Sequence, residues 1–186
     1  MVNNTLLLVL VIAHLVGDFY LQSGKIASGK KEKYSMLLVH GAVYASPVLL
    51  LLVFMPGLPL LWLALSFALA HLLIDSLKFW ILRDKQSPAV YIIDQLAHLA
   101  SLWGLAALFK NVAVYPQVLQ FFGSAGLPFD SFLRGLLLFL IILKPANITF
   151  KYMFTQLKPD DVSAEEKKNT GALIGNLERV LIALLL

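Results

Sequence analysis

Apolar runs of about twenty residues alternate with short polar breaks along this chain, and roughly 20 apolar residues at a 1.5 Å rise carry a helix across the hydrocarbon core of a bilayer. The pattern predicts five membrane-spanning helices: Thr5–Gln22, Met36–Met55, Leu60–Leu82, Pro88–Phe109, and one from Pro128 through a kink at Pro145. Pro56-Gly57-Leu58-Pro59 closes the second span in a tight turn, so the second and third run antiparallel. Val114–Gly126, with Tyr115, Pro116, Phe121 and Phe122, reads as an aromatic-anchored interfacial loop. After Phe154 comes a soluble stretch, Lys158–Thr170, rich in Asp, Glu and Lys. Gly171 opens a sixth, partial helix that stops at Leu186 without polar flank or cap, as a truncated membrane helix would. The expected organisation is an all-α polytopic transmembrane bundle over residues 1–157, a cytoplasmic linker over 158–170 and a C-terminal membrane helix over 171–186.

Composition narrows the class. Of 186 residues, 59% are apolar and 14% charged, against ~45–50% and ~25% in soluble domains. Mean hydropathy is +0.80. An ordinary soluble fold is excluded, and so is disorder, since the chain has ample apolar surface to bury. The absence of cysteine removes disulfides, a thiolate nucleophile and Cys-ligated zinc, leaving His, Asp and Glu as metal ligands.

The net charge of +4 changes the picture less than its placement does. The cations sit between apolar runs, as juxtamembrane charges that meet anionic lipid do, and not along a face that would take nucleic acid. Lys25, Lys30, Lys31 and Lys33 follow the first span, and Lys78, Arg83 and Lys85 cluster about the end of the third. The turn after the second holds none, and Lys110 alone follows the fourth. The positive-inside rule then puts the N-terminus outside, with the first and third loops and the 158–170 linker in the cytoplasm.

All four histidines fall inside predicted spans, and three have an aspartate four residues away: His14 with Asp18, His71 with Asp75, and His98 with Asp94. His40 stands alone in the second span. Positions four apart share a helix face, so each pair is expected to point one way. An ionisable group in the membrane costs upward of ~2.5 kcal/mol and turns towards the bundle interior. At the standard rise all seven lie roughly 6–16 Å from the cytoplasmic ends of their spans, one slab reached by chains running in opposite directions. Imidazole and carboxylate suit Zn first, then Mn or Fe, over Ca or soft copper.

Seven candidates exceed the four positions of a tetrahedral site. Two arrangements stay open: a binuclear site with ions ~3.5–4 Å apart, or one ion whose His ligands are oriented by Asp behind them. Hydrogen bonding within and between helices is the plainer explanation, but at ~0.6 kcal/mol per bond it is too weak to account for seven such groups. A proton or ion relay is a third reading.

Further polar residues share that level. Gln22 continues the first stripe, Tyr91 and Ser101 flank the last, Lys144 and Asn147 enter the fifth span, and Glu178 and Arg179 lie within the final helix. Snorkelling, or an ion pair with Glu178, accounts for Lys144 and Arg179 without a function; a bound phosphate would find its partners in them. Gly17, Gly41, Gly171 and Gly175 permit close helix packing.

The phrases from Ala13 to Gln22, His71 to Lys78, Asp94 to His98 and Gly171 to Arg179, taken in order, resemble the DUF3307 family of small bacterial membrane proteins, a domain of unknown function. The resemblance implies a multi-pass protein of the bacterial inner membrane, with His14, Asp18, His40, His71, Asp75, Asp94 and His98 on family motif positions. It brings no settled activity. It also implies chain beyond the Leu-Glu-Arg helix, from which the stop at Leu186 departs.

The outer halves of the spans, such as Leu6–Ala13 and Leu60–Ala70, are apolar, with Tyr44, Ser46 and Ser66 as isolated exceptions. That pattern offers no conduction path. The first expectation is a metal-dependent hydrolase acting from the cytoplasmic side on a lipid or lipid-linked substrate. Metal-bound water would be the nucleophile, an Asp or His the general base, and Lys144 or Arg179 would steady developing charge. Asp18, Asp75, Asp94 and Lys144 are its catalytic candidates, and one or two ions its cofactor. The alternative is a metal- or ion-handling component without catalysis, whether transporter, sensor or partner subunit; a packing scaffold is the third. Membrane lipids, and a further copy or membrane protein, are the expected partners, and nucleic acid is not.

Overall fold

The computed structural model describes residues 3–50, 58–81, 87–153, 175–176, 178–180 and 182. Asn3 begins the fold. Its side chain accepts from the Leu6 N–H at 3.0 Å and so caps α1 (Asn4–Leu15). Its Nδ2 donates to the carbonyls of Lys110 at 3.2 Å and Val112 at 2.8 Å, just past α5 (Pro88–Leu108). Thr5 Oγ1 donates to Asp130 Oδ1 at 2.8 Å, at the head of α7 (Phe129–Leu143). These bonds gather three helix ends at one pole of the bundle.

Towards the other pole α1 widens into a π-helical turn, Val16–Tyr20, closed by the Leu21 N–H on the Val16 carbonyl at 2.8 Å. The chain then bends by 87° into α2 (Gly24–Glu32), capped by Ser23, whose Oγ accepts from the Ile26 N–H at 3.3 Å. The sequence reading takes this stretch for a loop, because it has no apolar run. The Ser cap, and Lys30 and Lys31 at the negative end of the helix dipole, are what make it helical. α3 (Tyr34–Leu50) and α4 (Leu58–Ile81) follow, then α5.

The stretch read as an interfacial loop is also helical: α6 (Pro116–Ser124) starts on Pro116 and ends before Gly126, whose φ of 71° turns the chain into α7. α7 breaks at Lys144, one residue before the predicted proline kink, and α8 (Pro145–Met153) continues beyond it. No strand occurs among the described residues. Residues 51–57, 82–86 and the linker 158–170 lie outside them; of the predicted C-terminal helix, Gly175, Asn176, Glu178, Arg179, Val180 and Ile182 are described and helical.

α1 runs through the centre. Leu6, Val9, Leu10 and Ala13 pack on Tyr44 and Val48 of α3, Leu60, Leu63 and Phe67 of α4, Leu102 and Ala106 of α5, and Leu133 of α7. Among the described residues, three helices are long and apolar enough to cross a membrane: Pro59–Ile81, Pro88–Leu108 and Phe129–Phe150 across the α7–α8 break. α1 with α2 makes a fourth if the bent pair is one span, and α3, at 17 residues, falls short. In the most apolar 18 residues of each, only 33%, 28% and 11% are buried. Their outer faces carry Trp62, Trp80, Trp103 and Leu108. Water would oppose so much exposed apolar surface and acyl chains do not.

Gly17 sits where α1 meets α3: a Cβ there would lie 2.9 Å from Tyr44 Cδ2 and 3.1 Å from the Tyr44 Cα and carbonyl oxygen. A backbone does not yield as a side-chain tip does, so Gly17→Ala is expected to destabilise the bundle by ~1–3 kcal/mol. Gly104, with nothing within 4 Å of its added Cβ, should tolerate alanine or gain up to ~1 kcal/mol in helix propensity. Thermal unfolding of both variants in detergent checks the contrast; equal effects would refute this account of the contact.

Candidate metal centre

The fold brings the polar residues of four helices together opposite the pole that Asn3 organises. His14, His40, His71 and His98 are each at most 1% exposed, and Asp75 and Asp94 are buried with them. His40, alone in the sequence, is central: its Nε2 lies 3.2 Å from Asp18 Oδ1, 3.6 Å from Asp75 Oδ2 and 3.0 Å from His71 Nε2. His71 Nε2 is 3.6 Å from Asp75 Oδ2, and His98 Nε2 is 3.9 Å from Asp75 Oδ1.

Two triads emerge, Asp18–His40–His71 and His71–Asp75–His98, in each of which the ligand atoms lie within 4.8 Å of one another. Bonds of ~2.0–2.1 Å to a tetrahedral ion set its ligand atoms about 3.3–3.4 Å apart, and the separations of 3.0, 3.2 and 3.6 Å around His40 straddle that value.

Hydrogen bonding supports a ligand role. His98 Nδ1 is 2.8 Å from the Asp94 carbonyl, which can only accept, so this nitrogen carries the proton and Nε2 keeps its lone pair. That Nε2 is buried without a hydrogen bond, as are His14 Nε2, His40 Nδ1 and His71 Nδ1. Burying an unpartnered polar atom is costly, and a cation would use His98 Nε2 as it stands.

Cations missed as functional residues complete the site. Lys30 of α2 reaches Asp75 Oδ2 at 3.1 Å and Asp18 Oδ1 at 3.5 Å. Lys78 pairs with Asp94 Oδ2 at 2.6 Å. The sequence reading takes both for loop charges, because long lysine stems that reach back are not visible in spacing.

The expectation that each i,i+4 pair points one way holds for His71 with Asp75 and His98 with Asp94, which approach to 3.6 and 3.9 Å. It fails for His14 and Asp18, which form no ion pair. The π-turn intervenes: Asp18 turns to His40, and His14 Nδ1 bonds Tyr44 Oη at 3.0 Å. His14 belongs to neither triad and stacks on His98, ring centroids 5.2 Å apart. Tyr44, read as an isolated exception in an apolar half, also stacks on His71 with centroids 3.5 Å apart. Asp94 too stands outside both triads, held by Lys78. Lys144 stands 5.6 Å over the Tyr20 ring. Arg179 bonds Asn147 and Asn176, not Glu178.

Tyr44→Phe removes the one hydroxyl bonded to His14 Nδ1 and leaves that buried nitrogen unpaired. A loss of ~1–3 kcal/mol is expected, read as a lowered melting temperature in detergent. Unchanged stability would mean that this bond does not hold the His14 ring.

A family model described as Protein of unknown function (DUF3307) matches residues 6–122, from α1 into α6. The match takes in every His and Asp of the centre, and α7, α8 and the phrase from Gly171 to Arg179 lie beyond it. No curated protein matches the chain, and no solved structure does. With well over half its length matched, the chain belongs to the DUF3307 family.

Proposed function

We propose that this is a multi-pass protein of the bacterial inner membrane, with five spans and its N-terminus outside, that holds a divalent cation and uses it to hydrolyse a lipid or lipid-linked substrate from the cytoplasmic side. Zinc is the first expectation for the ion, and manganese or iron the next. One observation carries the reading: His40 Nε2 has Asp18 Oδ1, His71 Nε2 and Asp75 Oδ2 within 3.0–3.6 Å. Each triad is two imidazoles and one carboxylate, a set that leaves coordination positions open, as catalytic sites do and closed structural sites do not.

A bound cation would supply Lewis acidity and activate water. The residues of the triad it leaves empty are then the nearest proton acceptors: Asp75 and His98 in one case, Asp18 and His40 in the other. His71 serves both sets, so if its Nε2 is the ligand, one ion fits at a time. The main-chain carbonyl of residue 94 fixes the His98 tautomer whatever side chain stands there, while the Asp94 carboxylate pairs with Lys78. A second reading, a metal- or ion-handling subunit without turnover, is favoured by the closure of the site, with every imidazole at most 1% exposed and Lys30 laid across the carboxylates.

Elemental analysis of detergent-purified protein tests the ion. About one metal per chain is expected for the wild type and none for His71→Ala, while His40→Ala beside His98→Ala identifies the triad in use. A metal-free wild type under zinc-replete conditions would refute the reading. Release of phosphate or fatty acid from lipid phosphate or ester vesicles, abolished by chelator and restored by zinc, supports hydrolysis; bound metal without turnover selects the second reading. Lys30→Met should tighten metal binding about tenfold, because the ion no longer displaces an ammonium held by two carboxylates. Unchanged affinity would place the ion elsewhere.

A further inference from the structure

A second group of polar side chains gathers where α7 breaks into α8, on residues the family match does not cover. Lys144 occupies the break, its ammonium over Tyr20. Asn147, on the first turn of α8, donates from Nδ2 to the Leu143 carbonyl at 3.1 Å and to Asn176 Oδ1 at 2.5 Å. Arg179 Nη2 donates to Asn147 Oδ1 and, at 3.1 Å, to Asn176 Oδ1. The guanidinium lies against Gly175, where an added Cβ would sit 3.4 Å from Nη2, and 5.9 Å from the centroid of Phe150.

These contacts fix the guanidinium in place without neutralising it. Among the described residues, Lys144 and Arg179 have no carboxylate within ion-pair distance, and the hydrogen bonds of Arg179 go to neutral amide oxygens. Arg179 Nε is buried with no partner. Both side chains are half-buried. Two positive charges at the edge of an apolar span are expensive unless something anionic meets them. An oriented guanidinium with an unused N–H, and an ammonium three residues before the asparagine that orients it, suit phosphate oxygens, which take a planar fork and a point charge together.

We propose that Lys144 and Arg179, the latter oriented by Asn147, form an anion site that takes a phosphate group, from a lipid headgroup or free in solution. Tyr20, under the Lys144 ammonium, donates its hydroxyl to the Leu140 carbonyl of α7 at 2.6 Å, and the site shares no residue with the His/Asp centre. It does not depend on a metal at that centre.

The test uses the whole chain in maltoside detergent, titrated by calorimetry with inorganic phosphate and, separately, with dihexanoyl phosphatidic acid. Saturable binding of at least one is expected. Binding of both assigns the site to phosphate as such, and binding of the phosphatidic acid alone assigns it to a headgroup. Arg179→Gln and Lys144→Met should each weaken binding tenfold or more, Arg179→Lys should recover part of the loss, and Glu178→Gln should leave it unchanged.

Binding by neither probe, or binding untouched by both charge-removing variants, would overturn the proposal. If Arg179→Gln does not fold, as judged by gel filtration and helix content, Lys144→Met and Arg179→Lys decide alone. Metal content measured on Arg179→Gln is expected to match the wild type. An anion site without bound metal, or metal without an anion site, therefore separates the failure of one reading from that of the other.

Discussion

The bundle depends on the mutual satisfaction of ionisable groups in a place nearly closed to water. Asp18, His40, His71, Asp75 and His98 come from four helices, and each is within 4 Å of at least one of the others. Removing one partner from a buried set leaves the rest uncompensated, at a cost of ~3–5 kcal/mol. The helices are therefore held in register by their polar residues as much as by the core above them. Details that look accidental follow from this. Gly17 lets α3 approach α1 until Tyr44 fits between the His14 and His71 rings, and the π-turn around it swings Asp18 to His40.

What was legible in the sequence was whatever follows from an unbroken helix. His71 with Asp75, and Asp94 with His98, lie on uninterrupted stretches of α4 and α5, so their spacing of four translates directly into contact. Depth counted along antiparallel spans likewise brought His40 level with them. The illegible parts depend on geometry that spacing does not encode. His14 and Asp18 straddle a change of helix pitch, and no residue pattern announces it. Lys30 enters the site because α2 folds back at 87°, a bend set by the Ser23 cap and not by hydropathy. Tyr44 reads as an apolar-face aromatic until its hydroxyl is found on His14.

The two polar groups differ in the sign of what they lack, and Tyr20 has a part in each. Its backbone belongs to the π-turn that carries Asp18, while its ring and hydroxyl engage Lys144 and the Leu140 carbonyl. The His/Asp centre gathers acids and is short of positive charge. The α7–α8 break gathers bases and, among the described residues, is short of negative charge. Among the described residues no ion pair links the two groups, so neither deficit is relieved by the other.

Charge balance decides how the centre and Lys30 relate on the proposed reading. Asp18, Asp75 and Asp94 bring three negative charges, and Lys30 and Lys78 return two, leaving one in excess. A divalent ion added with Lys30 in place would leave an excess of one positive charge beside neutral imidazoles. If Lys30 withdraws as the ion enters, the count closes at zero. In a low-dielectric site a unit of uncompensated charge costs several kcal/mol, so exchange is favoured over simple addition. Lys30 holds no other element of the bundle to the centre than its own short, polar helix, which bends away from α1 and buries none of its residues completely. A lysine ammonium rides on a flexible four-carbon stem, so the exchange asks only that the Lys30 side chain swing away while α2 stays packed on α3, Gly29 against Met36.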